Sequence, residues 1–159
     1  IECLSKVLDT KANDTLAKID LVKEDINYLN KISQINKVSG IKVMLILNMQ
    51  GTSPIVAGLG TSGDGFINMT GASNAANQFE GWKPISSEAI ISYNPDYIII
   101  TNRGMSSFPD VQSLANTTSL RLTSAAQNGR ILQEDGMAML GFGTRTISTA
   151  IQFAKVFSE

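Results

Sequence analysis

The sequence predicts an α/β fold: a three-layer α/β/α lobe with a mainly parallel sheet, preceded by a long helix. Three observations lead there. Lys42–Leu47 (KVMLIL) and Asp96–Thr101 (DYIIIT) are continuous apolar runs of strand length, the mark of strands buried on both faces. Helical segments alternate with them along the chain, which argues for a parallel sheet covered on both sides. Ahead of the first run, apolar residues recur every three or four positions across residues 14–38.

That first segment carries its apolar stripe on Leu16, Ile19, Val22, Ile26, Leu29, Ile32 and Ile35. Lys18, Lys23, Glu24, Asp25 and Lys31 lie mostly off it. Asn13 or Asp14 is the expected cap, with Asp14 complementing the positive end of the helix dipole. A helix over 14–38 spans roughly 37 Å, long for a small domain, and suits a strut between two lobes or a pairing surface. Gly40 ends it. The run at 42–47 is the first strand, and a long loop with Gly51, Pro54, Gly58 and Gly60 follows. Thr61 caps a helix to about Thr70, closed by Gly71. Residues 72–85 read as polar and irregular. Ser86 caps a short helix ending at Tyr93, before Asn94-Pro95. The run at 96–101 is the second strand, with Asn102-Arg103-Gly104 as its exit turn. A weak helix is expected over 110–116 after Pro109, a third strand over Arg130–Leu132, and a last amphipathic helix over 145–157 with Ile147, Ile151, Phe153 and Ala154 inward. Two units follow: 1–40, the long helix, and 41–159, the lobe.

Bulk composition narrows the function. The 159 residues make one domain's worth of chain, 43% hydrophobic and 17% charged, with a formal net charge of −1. So small a charge sets up no field for nucleic acid or anionic lipid. No apolar run approaches the roughly 18 residues that span a bilayer, and the start shows no signal-peptide pattern. Cys3 is the single cysteine, which excludes an internal disulfide framework or zinc cluster. Histidine is absent altogether, which removes Ser-His-Asp and Cys-His nucleophile systems and imidazole metal sites. No catalytic residue is assigned.

Gly58-Leu59-Gly60-Thr61-Ser62-Gly63 matches a dinucleotide fingerprint on its face. Such a motif needs a strand directly before it, and an acid about 20 positions on at a strand end. Here the expected strand ends near Leu47, Pro54 intervenes, and Glu80 follows an irregular stretch. A nucleotide-binding enzyme domain is therefore kept as an alternative; the glycines equally serve a tight turn and close helix packing.

Ala57-Gly58 with Gly60-Thr61 and Asp64, Gly71-Ala72 with Asn74, and Phe79-Glu80-Gly81-Trp82-Lys83-Pro84 with Ser87-Glu88-Ala89 follow one another in a telling order. Asn94-Pro95-Asp96, Arg103-Gly104, Asn128-Gly129-Arg130 and Gly141-Phe142-Gly143-Thr144-Arg145-Thr146 complete it. In this the chain resembles, from about Ile41 to Phe157, the C-terminal lobe of the haem-binding periplasmic solute-binding proteins of bacterial ABC importers, with their long connecting helix before it. The wider group also takes cobalamin and iron-siderophores, which stay open as alternative ligands. The resemblance implies capture of haem between two lobes and delivery to an inner-membrane ABC permease, with no catalysis and a periplasmic or extracytoplasmic location beside that permease. It also implies that the N-terminal lobe, which usually carries an iron-ligating tyrosine, is absent from this chain, so haem occupancy is expected to be low.

Site residues follow from strand ends and from the resemblance. Met49, after the first strand, matches a position that resembles a histidine ligand in some relatives; its thioether is a candidate iron ligand, or a soft wall for the porphyrin. Arg103, at the second strand's end, suits a haem propionate or an anionic iron ligand. Arg145 opens a helix, a poor place for a cation on dipole grounds, and is expected to hold a structural partner. Glu88 complements its helix dipole, and the resemblance makes it a permease-docking residue; Glu80 is a second candidate. Trp82 is expected to anchor a turn, and Tyr93 and Tyr97 to be structural.

Overall fold

The computed structural model describes residues 12–50 and 53–158, and the side chains of 17–49 and 53–158. Cys3, Gly51 and the side chains of Asn13, Asp14 and Leu16 lie outside the described residues. In chain order the elements are α1 (Ala12–Ser39), β1 (Lys42–Gln50), β2 (Ser53–Ala57), α2 (Ser62–Met69), β3 (Ser73–Asn74), β4 (Trp82–Pro84) and α3 (Ser87–Tyr93). Then come β5 (Tyr97–Thr101), α4 (Asn102–Met105), α5 (Val111–Ala115), α6 (Ser124–Gln127), β6 (Ile131–Glu134), α7 (Gly136–Leu140) and α8 (Thr146–Ser158).

One sheet runs in the order β4-β2-β1-β5-β6, and β3 pairs with β1 outside that path. The β1–β5, β5–β6 and β1–β3 pairs are parallel. The predicted loop after β1 is instead an antiparallel arm: β2 returns along β1 and β4 pairs with β2. β3 and β2 divide one edge of β1, β3 at Lys42–Val43 and β2 beyond Ile46. Proline is tolerated at Pro54 because it sits at the start of a strand, and its carbonyl accepts from the Ile85 N–H at 3.1 Å.

Two cores flank the sheet because strand side chains alternate. Val43, Leu45, Tyr97 and Ile99 face α1, α2, α7 and α8, meeting Leu29, Phe66, Met139 and Phe153. Met44, Ile46, Ile98 and Ile100 face α3 to α6, meeting Ile90, Met105, Leu114 and Ala125. This is the predicted three-layer arrangement. Caps behave as their residue types dictate. Thr61 accepts from Asp64 N, Ser86 from Ala89 N, and Asn94 closes α3 in the left-handed region at φ 40°.

The long helix differs from its predicted stripe. α1 is already helical at Ala12, the first described residue, so the expected caps lie within it, and its 28 described residues make it about 42 Å long. Only its last third is buried on the lobe, through Leu29, Ile32, Ser33 and Asn36, while Ile35 is 58% exposed. A buried asparagine wins the place of Ile35 because it satisfies two carbonyls: Asn36 Nδ2 donates to Thr70 O and Ala154 O, both at 2.9 Å. From Ala17 to Tyr28 no described side chain is buried.

Candidate functional site

Parallel sheets leave ligand crevices beyond the carboxyl ends of their strands. Here β1, β5 and β6 end together, and a cleft of ≈ 480 Å³ opens there between α4 and α7. Its apolar lining is Leu47, Met137 and Leu140; its polar lining is Thr101, Asn102 and Arg103 with Asp135. Gly136 and Gly141 complete it with bare backbone.

Thr101 builds the junction. Its hydroxyl donates to Leu47 O at 2.5 Å and accepts from Gly104 N at 3.0 Å, so one side chain ties β1 to β5 and caps α4. Gly104 is needed for that closeness: a Cβ there would stand 2.7 Å from Ile100 Cγ1 and 3.2 Å from Leu47 O. The predicted exit turn is thus the one-turn helix α4, and it leaves Arg103 exposed at the cleft. The ion pairs among the described residues are Lys23–Asp20 and Arg145–Asp135. Arg103 therefore offers its guanidinium to the cleft with no described carboxylate paired to it. Asn102, beside it, accepts from Gln133 Nε2 at 2.9 Å, which fixes the amide.

Across the cleft, Asp135 caps α7 by accepting from Met137 N at 2.9 Å and pairs with Arg145 Nη1 at 2.9 Å. Arg145 thus has the structural partner that its unfavourable position implied. Neither Asp135 nor α7 was foreseen; a carboxylate before Gly136, just past a strand, is the signal that pointed to a capped turn.

Met49 lies elsewhere. β1 and β2 shift register between Ile46 and Asn48, a bulge that takes Leu47 out of alternation. Met49 consequently falls on the face of Met44 and Ile46 and is half-buried against the second core, while Leu47 lines the cleft. Among the described residues no three His, Cys, Asp or Glu side chains gather to hold a metal.

Glu88 is exposed in the first turn of α3, away from the cleft lining. Its carboxyl is held below the ordinary value because it accepts from its own backbone N–H and from the Ser86 hydroxyl. Glu80 is exposed as well, at a bridge to Leu59. Trp82 packs on the first core, and Tyr97 is buried, donating to Val156 O at 3.3 Å; both are structural.

The glycine run acts as a cap and a packing seam. A strand does precede it directly, the antiparallel β2, but the amino end of α2 is already occupied. Asp64 Oδ2 accepts from Gly60 N at 3.3 Å and Asp64 Oδ1 from Asn74 Nδ2 at 3.0 Å. A phosphate placed there would meet this carboxylate, and like charges repel. Gly58 lies against Phe79, and Gly63 against Ala57 and Trp82, each too close for a Cβ. A second crevice, of ≈ 410 Å³, lies at the amino ends of the strands, lined mainly by amide and hydroxyl groups such as Asn77, Gln78 and Ser92.

Comparison with known proteins comes to the same fold. The family model described as "Periplasmic binding protein" matches residues 12–135. The structure of the periplasmic haem-binding protein BhuT in complex with two haems superposes with a TM-score of 0.77 at 25% identity, covering 99% of this chain and 59% of that one. A periplasmic haem-binding protein from Pseudomonas aeruginosa gives 0.75 at 25%, covering 99% and 57%. HutB, the periplasmic haem-binding protein of Vibrio cholerae, gives 0.67 at 25%, covering 92% and 61%. The chain therefore spans about three-fifths of the length of these relatives. No curated protein sequence matches it.

Proposed function

The chain belongs to the periplasmic binding protein family, and on that premise we propose that it is the haem-binding lobe of an ABC-importer solute-binding protein. Residues 41–159 form the lobe, and α1 is the connector to a second lobe, supplied by the part of the relatives that this chain does not span. Haem is the cargo, held across the carboxyl ends of β1, β5 and β6 and passed to a membrane permease outside the cytoplasm. We assign no catalytic step. The supporting observation is the cleft's division between apolar and cationic lining: Leu47, Met137 and Leu140 are apolar, and Arg103 is exposed there with no ion pair among the described residues. Haem is divided the same way, into a flat apolar ring and two carboxylates. Arg103 pairs with a propionate, and the exposed Glu88 docks on the permease. Met49 is retained as a secondary candidate for the iron, reachable only if the β1–β2 arm turns it out of the second core.

Titration of the chain with haemin, followed at the Soret band, tests this. Weak saturable binding is expected, and Arg103→Ala should lower the affinity about tenfold, the worth of one charge-assisted hydrogen bond. Cobalamin and a ferric siderophore serve as competitors. Failure of the chain to perturb the haemin Soret band, or tighter binding of either competitor, overturns the assignment.

A further inference from the structure

Six methionines occur in the chain, and their burial separates one from the rest. Met44, Met105 and Met139 are buried, and Met49 and Met69 are half-buried against the two cores. Met137 is 70% exposed, and it lines the cleft. A thioether that could pack in either core instead stands at the mouth of the ligand crevice. Among the residues lining that crevice it is the single soft, polarisable group.

The backbone beneath Met137 is capped and anchored. Its backbone N–H is held by the Asp135 cap, and Asp135 is pinned in turn by Arg145. Two residues on, Met139 is fully buried in the first core. After α7, Phe142 takes a left-handed φ of 46° and packs toward α2, its Cζ 3.2 Å from where a Cβ of Gly65 would sit. Met137 Cε lies 3.3 Å from the place of a Cβ on Gly141, so the side chain lies along α7 over a glycine that leaves it room.

We propose that Met137 is the methionine of this lobe that meets the ligand, laying its thioether on the flat face of the macrocycle opposite Arg103. This rests on the haem-binding reading above and moves the soft contact from Met49 to the α7 wall. It makes the cleft selective for a flat, polarisable ring over a globular chelate of similar charge, because a thioether at this mouth gains most from close stacking.

Methyl-labelled methionine gives six resolvable probes for NMR, titrated with zinc protoporphyrin, which is diamagnetic and shares the ring and propionates of haem. The Met137 methyl should show the largest ring-current shift, with Met49 and Met69 nearly still. Met137→Ala should weaken zinc protoporphyrin binding about tenfold, and Met137→Leu should retain most of it. The side chain is exposed, so the variants are expected to keep the wild-type far-UV circular dichroism. If the wild-type chain binds but Met137 shifts no more than Met69, or Met49→Ala is the variant that loses affinity, the assignment of Met137 is wrong. If none of the six methyls moves, the haem-binding reading has failed and this one falls with it.

Discussion

Gly71→Ala should unfasten the long helix from the lobe. Gly71 has φ +83°, and an added Cβ would stand 2.1 Å from Ser33 O and 2.6 Å from Ser33 Cα, both backbone atoms of α1. Ser33 must retreat by roughly 1 Å to restore an ordinary contact, since backbone cannot swing aside as a side chain does. That retreat pulls on Asn36, one turn on, whose amide donates to Thr70 O and Ala154 O. Left-handed backbone costs a non-glycine residue about 1–2 kcal/mol. Two buried hydrogen bonds contribute about 1 kcal/mol each, more if their carbonyls are left unpaired. Gly71→Ala should therefore cost about 3–4 kcal/mol. Gly60→Ala is the internal control: φ is +73°, but nothing lies within 4 Å of its Cβ, so only the conformational part remains, about 1–2 kcal/mol. Urea unfolding followed by circular dichroism measures both. Equal losses in the two variants would show that α1 is not seated on Gly71, and the account of the helix anchor would be wrong.

Asp135 and Arg145 should differ in the same assay. Arg145→Ala removes an exposed ion pair, 65% and 36% exposed at its two side chains, and should cost under about 1 kcal/mol. Asp135→Ala also removes the α7 cap and should cost about 1 kcal/mol more. Glu88 should titrate below the ordinary glutamate value in a carboxyl NMR titration, and Ser86→Ala should raise it, because the hydroxyl that stabilises the charged form is gone. The sign fixes the pH window: with the folded value depressed, the stabilisation is present above the unfolded value and is lost as pH falls through the folded one. A Glu88 value that does not move in Ser86→Ala would leave its own N–H as the sole cause.

The buried strands were legible because their surroundings demanded one kind of residue. Ile98, Ile99 and Ile100 are all fully buried, and an unbroken apolar run is the only sequence that suits a parallel strand covered on both faces. Helix ends at Thr61, Ser86, Gly71 and Asn94 were legible because caps have few chemical solutions. The antiparallel arm was hidden for the opposite reason. β2 is five residues interrupted by Pro54, and β4 is three residues, too short for an alternation to declare itself. Asn36 shows another limit: a hydrophobic pattern ranks Ile35 above it, and only the positions of Thr70 O and Ala154 O reveal why the amide goes inside.

The site was legible as a place more than as a set of side chains. Arg103 could be put at the cleft from sequence because β5 is unmistakable and its carboxyl end is fixed to within a residue. Met49 could not, because its direction depends on one backbone irregularity. Strand side chains alternate with period two, so a single residue out of register exchanges the faces of everything after it. The bulge at Leu47 makes that exchange: Leu47 lines the cleft and Met49 turns toward the second core. Nothing in the run LILNMQ announces it, since the bulge is held by Thr101, 54 residues away, whose hydroxyl takes Leu47 O. The direction of a residue at this strand end is set by such a long-range hydrogen bond. α7 is the complementary case: its five residues carry no period, yet the ion pair from Asp135 to Arg145 and the burial of Met139 fix its direction, and with it Met137.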